Sequence, residues 1–527
     1  MLKKREGLLL FLLGIGLFFL FEYQKTFLYK VQGIHEWRQA DCLAQVYNYY
    51  TNGFKFFDTS FLCINTSNCS GKVAGEFPIL YYVTAILWKV FGQHEIILKL
   101  INFSLFLMGL VYLYKLGKKL FPDSWLKSLP VLFIIGSPVI VYYSNNYLPD
   151  IPALGLVFTG FYFFYDYLLE PQKKKLWKAG LFWVFAILLK ITAGILPLAS
   201  IAVLLFMAIR EKQLGLRLKH LLPFAGGLVL AGAWYVYAFR YNEANQSHHF
   251  LLTRLMPIWE LKGEALSLKT EAIFRDTIPE LFPKVLNIIF LAVYLFLLFN
   301  FKRLLRPLVL ISIITFIGTV IYFLFWYIQF EAHDYYFLNF IPFYACVFLL
   351  ICNYYATVRH KALKIGITTL SLLLVMYNLY NGAVNIRLRY YHNDFLLQTA
   401  SIHEDRRNLF LYLEKMHRFY ITPFETCKPY LKQIGIKPED RAIILPDYTF
   451  NMTLYYTGLR GYTACGRVGV DGWYYVHDEN VMQSQIKCGA KYLLVYDERI
   501  LEHKELLKYT TKPIGRYQNI IIYQLHE

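Results

Sequence analysis

The sequence predicts a mainly α-helical integral membrane protein that crosses the bilayer many times. Of its 527 residues, 57% are hydrophobic and only 17% are charged, whereas soluble globular chains carry about 25% charged residues. Long apolar segments recur along the chain, and a bilayer core about 30 Å thick needs about 20 apolar residues per helix. Intrinsic disorder is excluded as well, because it requires few apolar residues and many charges.

Eleven apolar segments are predicted to cross the membrane. They lie at residues 7–24, 96–116, 128–144, 151–168, 177–189, 192–209, 220–240, 284–301, 307–328, 336–354 and 364–384. The apolar stretch from Phe77 to Phe91 would invert every later loop if it also crossed. We therefore expect it to form an interfacial or re-entrant helix on the outer face.

Positive charge orients the predicted spans. Lysine and arginine number 54 against 36 aspartates and glutamates, a formal net charge of +18. Basic clusters follow the second, fourth, sixth, eighth and tenth spans, on the same side as Lys3, Lys4 and Arg5. The enrichment of lysine and arginine in cytoplasmic loops identifies that side as cytoplasmic. The charge thus reflects membrane orientation, and no nucleic-acid partner is expected.

This orientation places two long loops and the C-terminal region outside the cytoplasm. Residues 1–384 form the predicted transmembrane domain, with a first extracytoplasmic loop at 23–95 and a second at 241–283. Residues 385–527 contain short β-like runs separated by turn signals, which predicts a small extracytoplasmic α/β domain. Its role is open between a structural cap and recognition of an acceptor. An oxidising compartment would favour a disulfide between Cys63 and Cys69 in the first loop.

Ionisable residues at the predicted outer boundary are candidates for a functional site, because charges beside a membrane cavity are usually functional. The first loop opens with His35-Glu36-Trp37-Arg38-Gln39-Ala40-Asp41, where helical spacing puts Arg38 and Asp41 on one face. The other candidates are Glu76, Asp150, Lys190, His248, His249, His333, Tyr335 and Tyr336. The topology puts all of them on the outer side, which predicts one outward-facing catalytic cavity. Ordinary roles remain open, such as a helix cap for Asp150 and an interfacial anchor for Lys190.

In this order, these segments resemble the motifs of the GT-C superfamily of polytopic glycosyltransferases. The likeness covers about residues 1–384 and is greatest to the bacterial branch related to protein O-mannosyltransferases and lipid A aminoarabinose transferases. His35-Glu36-Trp37-Arg38-Gln39-Ala40 resembles an Asp-Glu-x-Arg-Tyr-Ala motif in which His35 replaces the aspartate. Glu76-Phe77-Pro78-Ile79-Leu80-Tyr81-Tyr82 resembles a Glu-Lys-Pro-Pro-Leu-Tyr-Tyr segment but lacks the lysine. The remaining matches are Asn146-Tyr147-Leu148-Pro149-Asp150, Leu188-Leu189-Lys190 and His333-Asp334-Tyr335-Tyr336.

The resemblance implies a glycosyltransferase that moves a sugar from a polyprenyl-phosphate donor to an acceptor at the outer, periplasmic face of a bacterial inner membrane. The implied reaction is an inverting displacement with a carboxylate base. Catalytic roles fall to Glu36, Asp41 and Asp150, and the base is open between the first two. Binding of the donor phosphate falls to Arg38, Lys190, His333, Tyr335 and Tyr336. A divalent cation would be held by Glu76, His248 and His249.

The sugar is left open, as is the acceptor, which could be lipid, polysaccharide or protein. One alternative function is a lipid-linked sugar transporter or flippase. That class predicts ionisable residues near mid-bilayer and broken helices in matching halves, whereas here the ionisable residues gather at one face and no internal repeat is visible. An enzyme like an O-antigen ligase or polymerase is the other alternative.

Overall fold

The protein, described by a computed structural model, is mainly helical and divides into two compact units. The structure describes residues 2–64, 68–122, 124–247, 255–390, 402–469, 472–475 and 479–525. The first unit, called the helical unit here, comprises Met1–Tyr29, Lys99–Trp234 and Arg254–Arg407. The second, called the mixed unit, comprises Lys30–Leu98, Tyr235–Thr253 and Asn408–Glu527. Each unit therefore collects segments that are far apart in the sequence.

Seven helices in the described part of the chain are long and apolar enough to cross a membrane. They are Ile96–Leu120, Asp150–Leu169, Ile191–Arg210, Leu214–Ala244, Arg306–Phe325, Asp334–Thr357 and Lys361–Arg389. Large apolar side chains such as Leu222, Val229 and Leu230 are about 70% exposed on them, as expected of faces that meet lipid rather than water. The chain is therefore an integral membrane protein.

These seven helices coincide with seven of the eleven predicted spans, and the other four predicted spans form shorter helices. The four regions contain Leu2–Leu20, Leu129–Ile135 followed by Pro138–Tyr143, Lys173–Leu189, and Lys284–Phe299. The last of these is bent by 82° from the preceding Gly263–Leu281 and counts with it as an eighth span if the pair is one broken helix. The total of eleven spans stays a prediction.

Close helix contact fixes the helix that begins at Asp150. Gly109 in Ile96–Leu120 meets Gly155 in Asp150–Leu169, and a Cβ on Gly109 would collide with the Gly155 backbone. Small residues let membrane helices approach closely enough for van der Waals packing. Asp150–Leu169 is accordingly one of the most buried spans, so its first residue is held in a defined place.

The apolar stretch expected at the membrane interface forms the helix Ile79–Phe91 of the mixed unit. Its 13 residues extend about 20 Å at 1.5 Å per residue, which is short of the roughly 30 Å bilayer core. Tyr81, Thr84 and Trp88 are buried, whereas Ile86 and Val90 are exposed. Its length and exposed apolar face support the interfacial prediction.

The strands all lie in the mixed unit within the described residues. They are β1 (Arg441–Leu445), β2 (Arg460–Thr463), β3 (Cys465–Gly469), β4 (Gly472–Tyr475), β5 (Ala490–Val495), β6 (Pro513–Tyr517) and β7 (Ile520–Gln524). The main sheet has the order β2-β1-β5-β7-β6. β1 pairs in parallel with β2 and β5, and β7 pairs antiparallel with β5 and β6. β3 and β4 pair separately. Buried central strands such as β1 read as nearly continuous apolar runs, and the predicted small α/β fold is confirmed.

Helices accompany these strands, both in the first loop and in the C-terminal region. Those of the mixed unit are Glu36–Thr51, Ile79–Phe91, Phe424–Gln433, Met452–Thr457 and Glu479–Lys487, with 3₁₀ turns at Glu498–Glu502 and Lys504–Tyr509. The first loop joins β2 directly, because the Ile64 amide donates to the Gly461 carbonyl at 2.8 Å. The predicted domain boundary between residues 384 and 385 stays a prediction.

The disulfide predicted between Cys63 and Cys69 is wrong. Cys69 is bonded to Cys488, 419 residues away, and Cys63 is a buried free thiol. Pairing of the first loop along β2 at Gly461 draws Cys63 into the interior, while Cys69 reaches Cys488, two residues before β5. Sequence proximity favoured the local pair, and this tertiary pairing overrode it.

Candidate functional site

The first-loop motif forms the start of a helix in the mixed unit, as its spacing predicts. Glu36–Thr51 is helical, and His35 before it adopts a left-handed conformation with φ of 57°. Such a conformation costs a non-glycine residue on the order of 1–3 kcal/mol and occurs preferentially at functional sites. The turn at His35 puts Glu36 at the N-terminal end of the helix, where a carboxylate is favoured by the helix dipole.

Glu36 is paired with a histidine from far along the chain. Its Oε2 lies 3.3 Å from Nδ1 of His417, and Nε2 of His417 lies 3.4 Å from Oε1 of Glu425. The Glu36 side chain keeps 13% of its surface exposed. Neither His417 nor Glu425 was identified from the sequence, because both lie in a polar segment without any motif.

These contacts decide the charge of the histidine. Burial lowers the pKa of His417, but its hydrogen bonds to Glu36 and Glu425 outweigh burial and raise that pKa from 6.5 to about 9. Both ring nitrogens face carboxylate oxygens, and only the imidazolium can donate from both. At neutral pH His417 is therefore a cation between two carboxylates.

Asp41, the other candidate base, is in a different environment. It is fully buried, and its Oδ1 accepts a hydrogen bond from Nδ2 of Asn451 at 2.7 Å. Oδ1 of Asn451 in turn accepts from the backbone amides of Leu62 and Cys63, each at 3.1 Å. Asp41 therefore helps to connect the first loop to Asn451, the residue before the helix Met452–Thr457. The sequence did not reveal this role.

Arg38 and Glu76 form an ion pair in the mixed unit. Nη2 of Arg38 donates to Oε1 of Glu76 at 2.6 Å, and both side chains are largely buried. The sequence placed Glu76 in a metal site with His248 and His249, which lie outside the described residues. No group of three His, Cys, Asp or Glu side chains in the described ranges could hold a metal ion. The metal site of Glu76, His248 and His249 stays a prediction.

The helical unit brings Asp150 and Lys190 together. Asp150 is the first residue of its helix, and Lys190 follows the helix Lys173–Leu189. Nζ of Lys190 lies 3.3 Å from Oδ1 of Asp150. The same ammonium lies 5.8 Å and 5.9 Å from the ring centroids of Tyr335 and Tyr336, a distance at which the face of an aromatic ring attracts a cation.

His333 completes this group. Its ring lies 5.5 Å from both the Tyr335 and the Tyr336 ring and stacks on the latter. A cleft in the same unit is lined by Asp150, Ala153, Leu154, Val157, Lys190, Thr192, Ala193, Leu338, Asn339 and Pro342. Polar groups at Asp150, Lys190 and Asn339 thus adjoin the apolar side chains of the same cleft.

A buried charge network holds the segment that carries His333, Tyr335 and Tyr336. Nη2 of Arg389 donates at 2.5 Å both to Oδ2 of Asp334 and to Oε2 of Glu280. The Tyr143 hydroxyl donates to Oδ1 of Asp334 at 2.5 Å, and Arg406 donates twice to Glu280. Two carboxylates thus balance two guanidinium groups in a fully buried setting.

The sequence contained a signal for this network. Arg387 and Arg389 lie at the predicted outer end of the last span. Arginine is unexpected there, because lysine and arginine are enriched on the cytoplasmic side. Cations at such a position need buried acidic partners. Arg389 has them in Asp334 and Glu280, and Nη2 of Arg387 lies 3.4 Å from Oε1 of Glu22.

The candidate residues therefore form two groups, each within one unit. Glu36, Arg38, Asp41 and Glu76 belong to the mixed unit, and Asp150, Lys190, His333, Tyr335 and Tyr336 belong to the helical unit.

Comparison with known families and proteins gives three findings. The family model described as dolichyl-phosphate-mannose-protein mannosyltransferase matches residues 75–237. A curated relative from Aquifex aeolicus (strain VF5), described as an uncharacterized protein, is 22% identical over 190 residues, or 36% of this chain. The match covers only 37% of that relative's length.

The third finding concerns solved structures. The crystal structure of ArnT from Cupriavidus metallidurans bound to undecaprenyl phosphate superposes with a TM-score of 0.57 at 12% identity, over 98% of both chains. ArnT in the apo state gives 0.56 at 12% identity, over 99% of this chain and 98% of that one. The resemblance stated from the motifs and the predicted GT-C fold are confirmed. At this identity the structures establish the fold alone.

Proposed function

We propose that the protein is a membrane glycosyltransferase that moves a sugar from a polyprenyl-phosphate donor to an acceptor outside the cytoplasm. The observation that carries this proposal is the convergence of Asp150 and the rings of Tyr335 and Tyr336 on the ammonium of Lys190, beside a cleft that Asp150 and Lys190 line. These residues come from three separate parts of the chain and match three motifs of the resemblance. That a protein of the same fold was solved with undecaprenyl phosphate supports the choice of donor.

The cations of the helical unit are assigned to the donor phosphate. Lys190 carries a compact positive charge on a flexible stem, which suits a phosphate group, and its contact with Asp150 holds that stem in place. His333 is the second phosphate ligand, with Tyr335 and Tyr336 beside it. Arg38 is a weaker candidate, because its guanidinium already binds Glu76.

Glu36 is assigned as the general base. A base must reach the acceptor hydroxyl, and Glu36 keeps part of its side chain accessible while Asp41 is fully buried behind Asn451. Glu36 would take the proton as the acceptor oxygen bonds to the anomeric carbon. The bond between that carbon and the phosphate oxygen would break with inversion, and the cations would stabilise the departing phosphate.

The active site is assigned to the periplasmic side of a bacterial cytoplasmic membrane. The disulfide between Cys69 and Cys488 supports this orientation, because disulfides persist in oxidising compartments and are rare in the cytosol. The predicted topology puts both cysteines on the side opposite the basic loops. The acceptor would therefore be an envelope lipid, polysaccharide or protein.

Mass spectrometry of envelope glycolipids and glycoproteins tests this function in cells. A strain lacking the gene is complemented with the wild type, with Lys190→Ala or with the control Lys174→Ala, which changes an exposed lysine in the first turn of the Lys173–Leu189 helix. We expect one sugar modification to be lost in the deletion and in Lys190→Ala and to be restored by the control. If the deletion strain accumulated a lipid intermediate that had not crossed the membrane, but could still attach the sugar, the protein would instead be a flippase.

A further inference from the structure

His417 joins two carboxylates on different helices of the mixed unit. It begins a π-turn, His417–Ile421, that follows the helix Glu404–Met416. Glu36 is the first residue of its own helix, and Glu425 lies in the first turn of Phe424–Gln433. Turns of this π type occur frequently at functional sites because they change the direction of a side chain. Here the turn puts the imidazole between the two acids.

The charges around His417 alternate in sign. Nζ of Lys30 lies 3.6 Å from Oε2 of Glu425 and donates to the Glu425 carbonyl at 3.1 Å. The order is therefore Lys30, Glu425, His417 and Glu36, in which the two cations balance the two carboxylates when His417 is protonated. Tyr456 and Tyr496 also lie within electrostatic range of Glu36. Without the proton on His417, the group would carry an excess negative charge.

We propose that His417 is a positioning residue that holds the Glu36 carboxylate in the orientation needed for proton transfer, so that the region after the last span supplies part of the base site. The proposal rests on the function assigned to Glu36 above. It gives the C-terminal region a role in the reaction beyond that of a structural cap.

The electrostatics indicate how the loss of His417 would show itself. A histidine can donate hydrogen bonds from both ring nitrogens only while it is protonated. The contact that orients Glu36 should therefore weaken when His417 loses its proton. The hydrogen bonds that raise the pKa of His417 to about 9 keep it charged through the pH range in which Glu36 would act.

The pH dependence of transfer tests the proposal in the full-length protein in nanodiscs. We expect the wild-type kcat/KM to fall as the pH rises through about 9, where His417 loses its proton, and His417→Gln to lack this alkaline limb and to have a kcat about tenfold lower. His417→Lys, which keeps a cation, should lie closer to the wild type. The exposed His503 in the same unit provides the control, and His503→Gln should leave the profile unchanged. An alkaline limb that is the same in His417→Gln and in the wild type would overturn the proposal.

A titration that needs no turnover separates this proposal from the proposed function. The histidine ring signals are followed by NMR in the full-length protein, and the His417 signal is identified by its loss in His417→Gln. We expect its midpoint near pH 9 and a fall of about one unit in Glu36→Gln. A midpoint that Glu36→Gln does not change would overturn the pairing, even if the wild type transfers sugar. A protein that transfers no sugar but shows this shift would overturn the glycosyltransferase function instead.

Discussion

Nζ of Lys190 lies 3.3 Å from Oδ1 of Asp150, and only 14% of the lysine side chain and 3% of the aspartate side chain are exposed. Removing a charged group that stabilises a departing anion typically lowers kcat about 10²–10³-fold. We therefore expect Lys190→Ala to lose about 10²-fold in transfer rate. Asp150→Asn should lose less, about tenfold, because it removes the orientation of the lysine and keeps its charge.

The matched control is Lys174→Ala, which removes an exposed lysine of the same unit. Steady-state transfer by the three purified variants is compared with the wild type, together with their thermal unfolding. Wild-type rates in Lys190→Ala would rule out Lys190 as a phosphate ligand.

Glu36 and Asp41 should separate into a catalytic and a structural carboxylate. Loss of a general base typically costs about 10²–10⁴-fold in rate, so Glu36→Gln should lose transfer in that range at a nearly unchanged Tm. Asp41→Asn sets an amide against the donating amide of Asn451, and unsatisfied buried groups cost about 1–3 kcal/mol. Its main effect should be a lower Tm.

Rates and Tm values for both variants check this assignment. The reverse pattern, with a stable but inactive Asp41→Asn and an active Glu36→Gln, would transfer the base role to Asp41.

Arg389 should be required for stability of the helical unit. Its Nη2 binds both Asp334 and Glu280, and breaking a buried pair from one side costs about 3–5 kcal/mol. We expect Arg389→Met to lower the Tm strongly. The double variant Arg389→Met/Asp334→Asn should recover part of this loss in Tm. In Arg389→Met alone, Asp334 is a buried charge without its arginine, and the asparagine removes that charge.

Thermal unfolding of the purified variants measures this effect, with the exposed Arg359→Gln as control. Equal Tm values for Arg389→Met and Arg359→Gln would show that the network adds nothing to stability.

The disulfide predicts a specific cross-linked peptide. Digestion of the unreduced protein should release a species that joins the peptide of Cys69 to that of Cys488, and Cys63→Ser should leave it intact. Peptide mapping by mass spectrometry before and after reduction detects it. A species joining Cys63 to Cys69 would contradict the structure.

The stability of the protein should fall as the pH rises from neutral to alkaline. Because the pKa of His417 in the folded protein, about 9, exceeds the ordinary histidine value of 6.5, its stabilising effect is complete below about pH 6.5 and is lost as the pH rises through about 9. The shift corresponds to about 3 kcal/mol at most. Chemical unfolding between pH 6 and pH 10 should show a decline that is smaller in His417→Gln, and equal declines in both proteins would contradict it.

The sequence could predict the features that depend on local pattern. Apolar run length and charged loops identified the seven long spans, and β-like runs at 442–445 and 492–495 became strands of the C-terminal sheet. The motifs also identified Asp150, Lys190 and the segment around His333, because each motif is contiguous. The structure then brought these residues together.

Features that depend on distant pairing could not be predicted. Nothing near Glu36 indicates His417, which is 381 residues away, and nothing near Cys69 indicates Cys488. A single sequence carries no record of such contacts, because they are selected by packing of the whole chain. Short or bent spans were also ambiguous, since a continuous apolar run does not show where a helix breaks, as it does between Ile135 and Pro138.

Transfer from a defined donor tests the central claim most directly. Purified protein in nanodiscs is given undecaprenyl-phosphate sugar labelled in the sugar, with an envelope extract of the deletion strain as acceptor. We expect the wild type to release undecaprenyl phosphate and to label one acceptor fraction, and Glu36→Gln and Lys190→Ala to do both at rates lower by about 10²-fold or more. Labelling by both variants at the wild-type rate, or movement of the intact donor across the bilayer without release of undecaprenyl phosphate, would contradict the account.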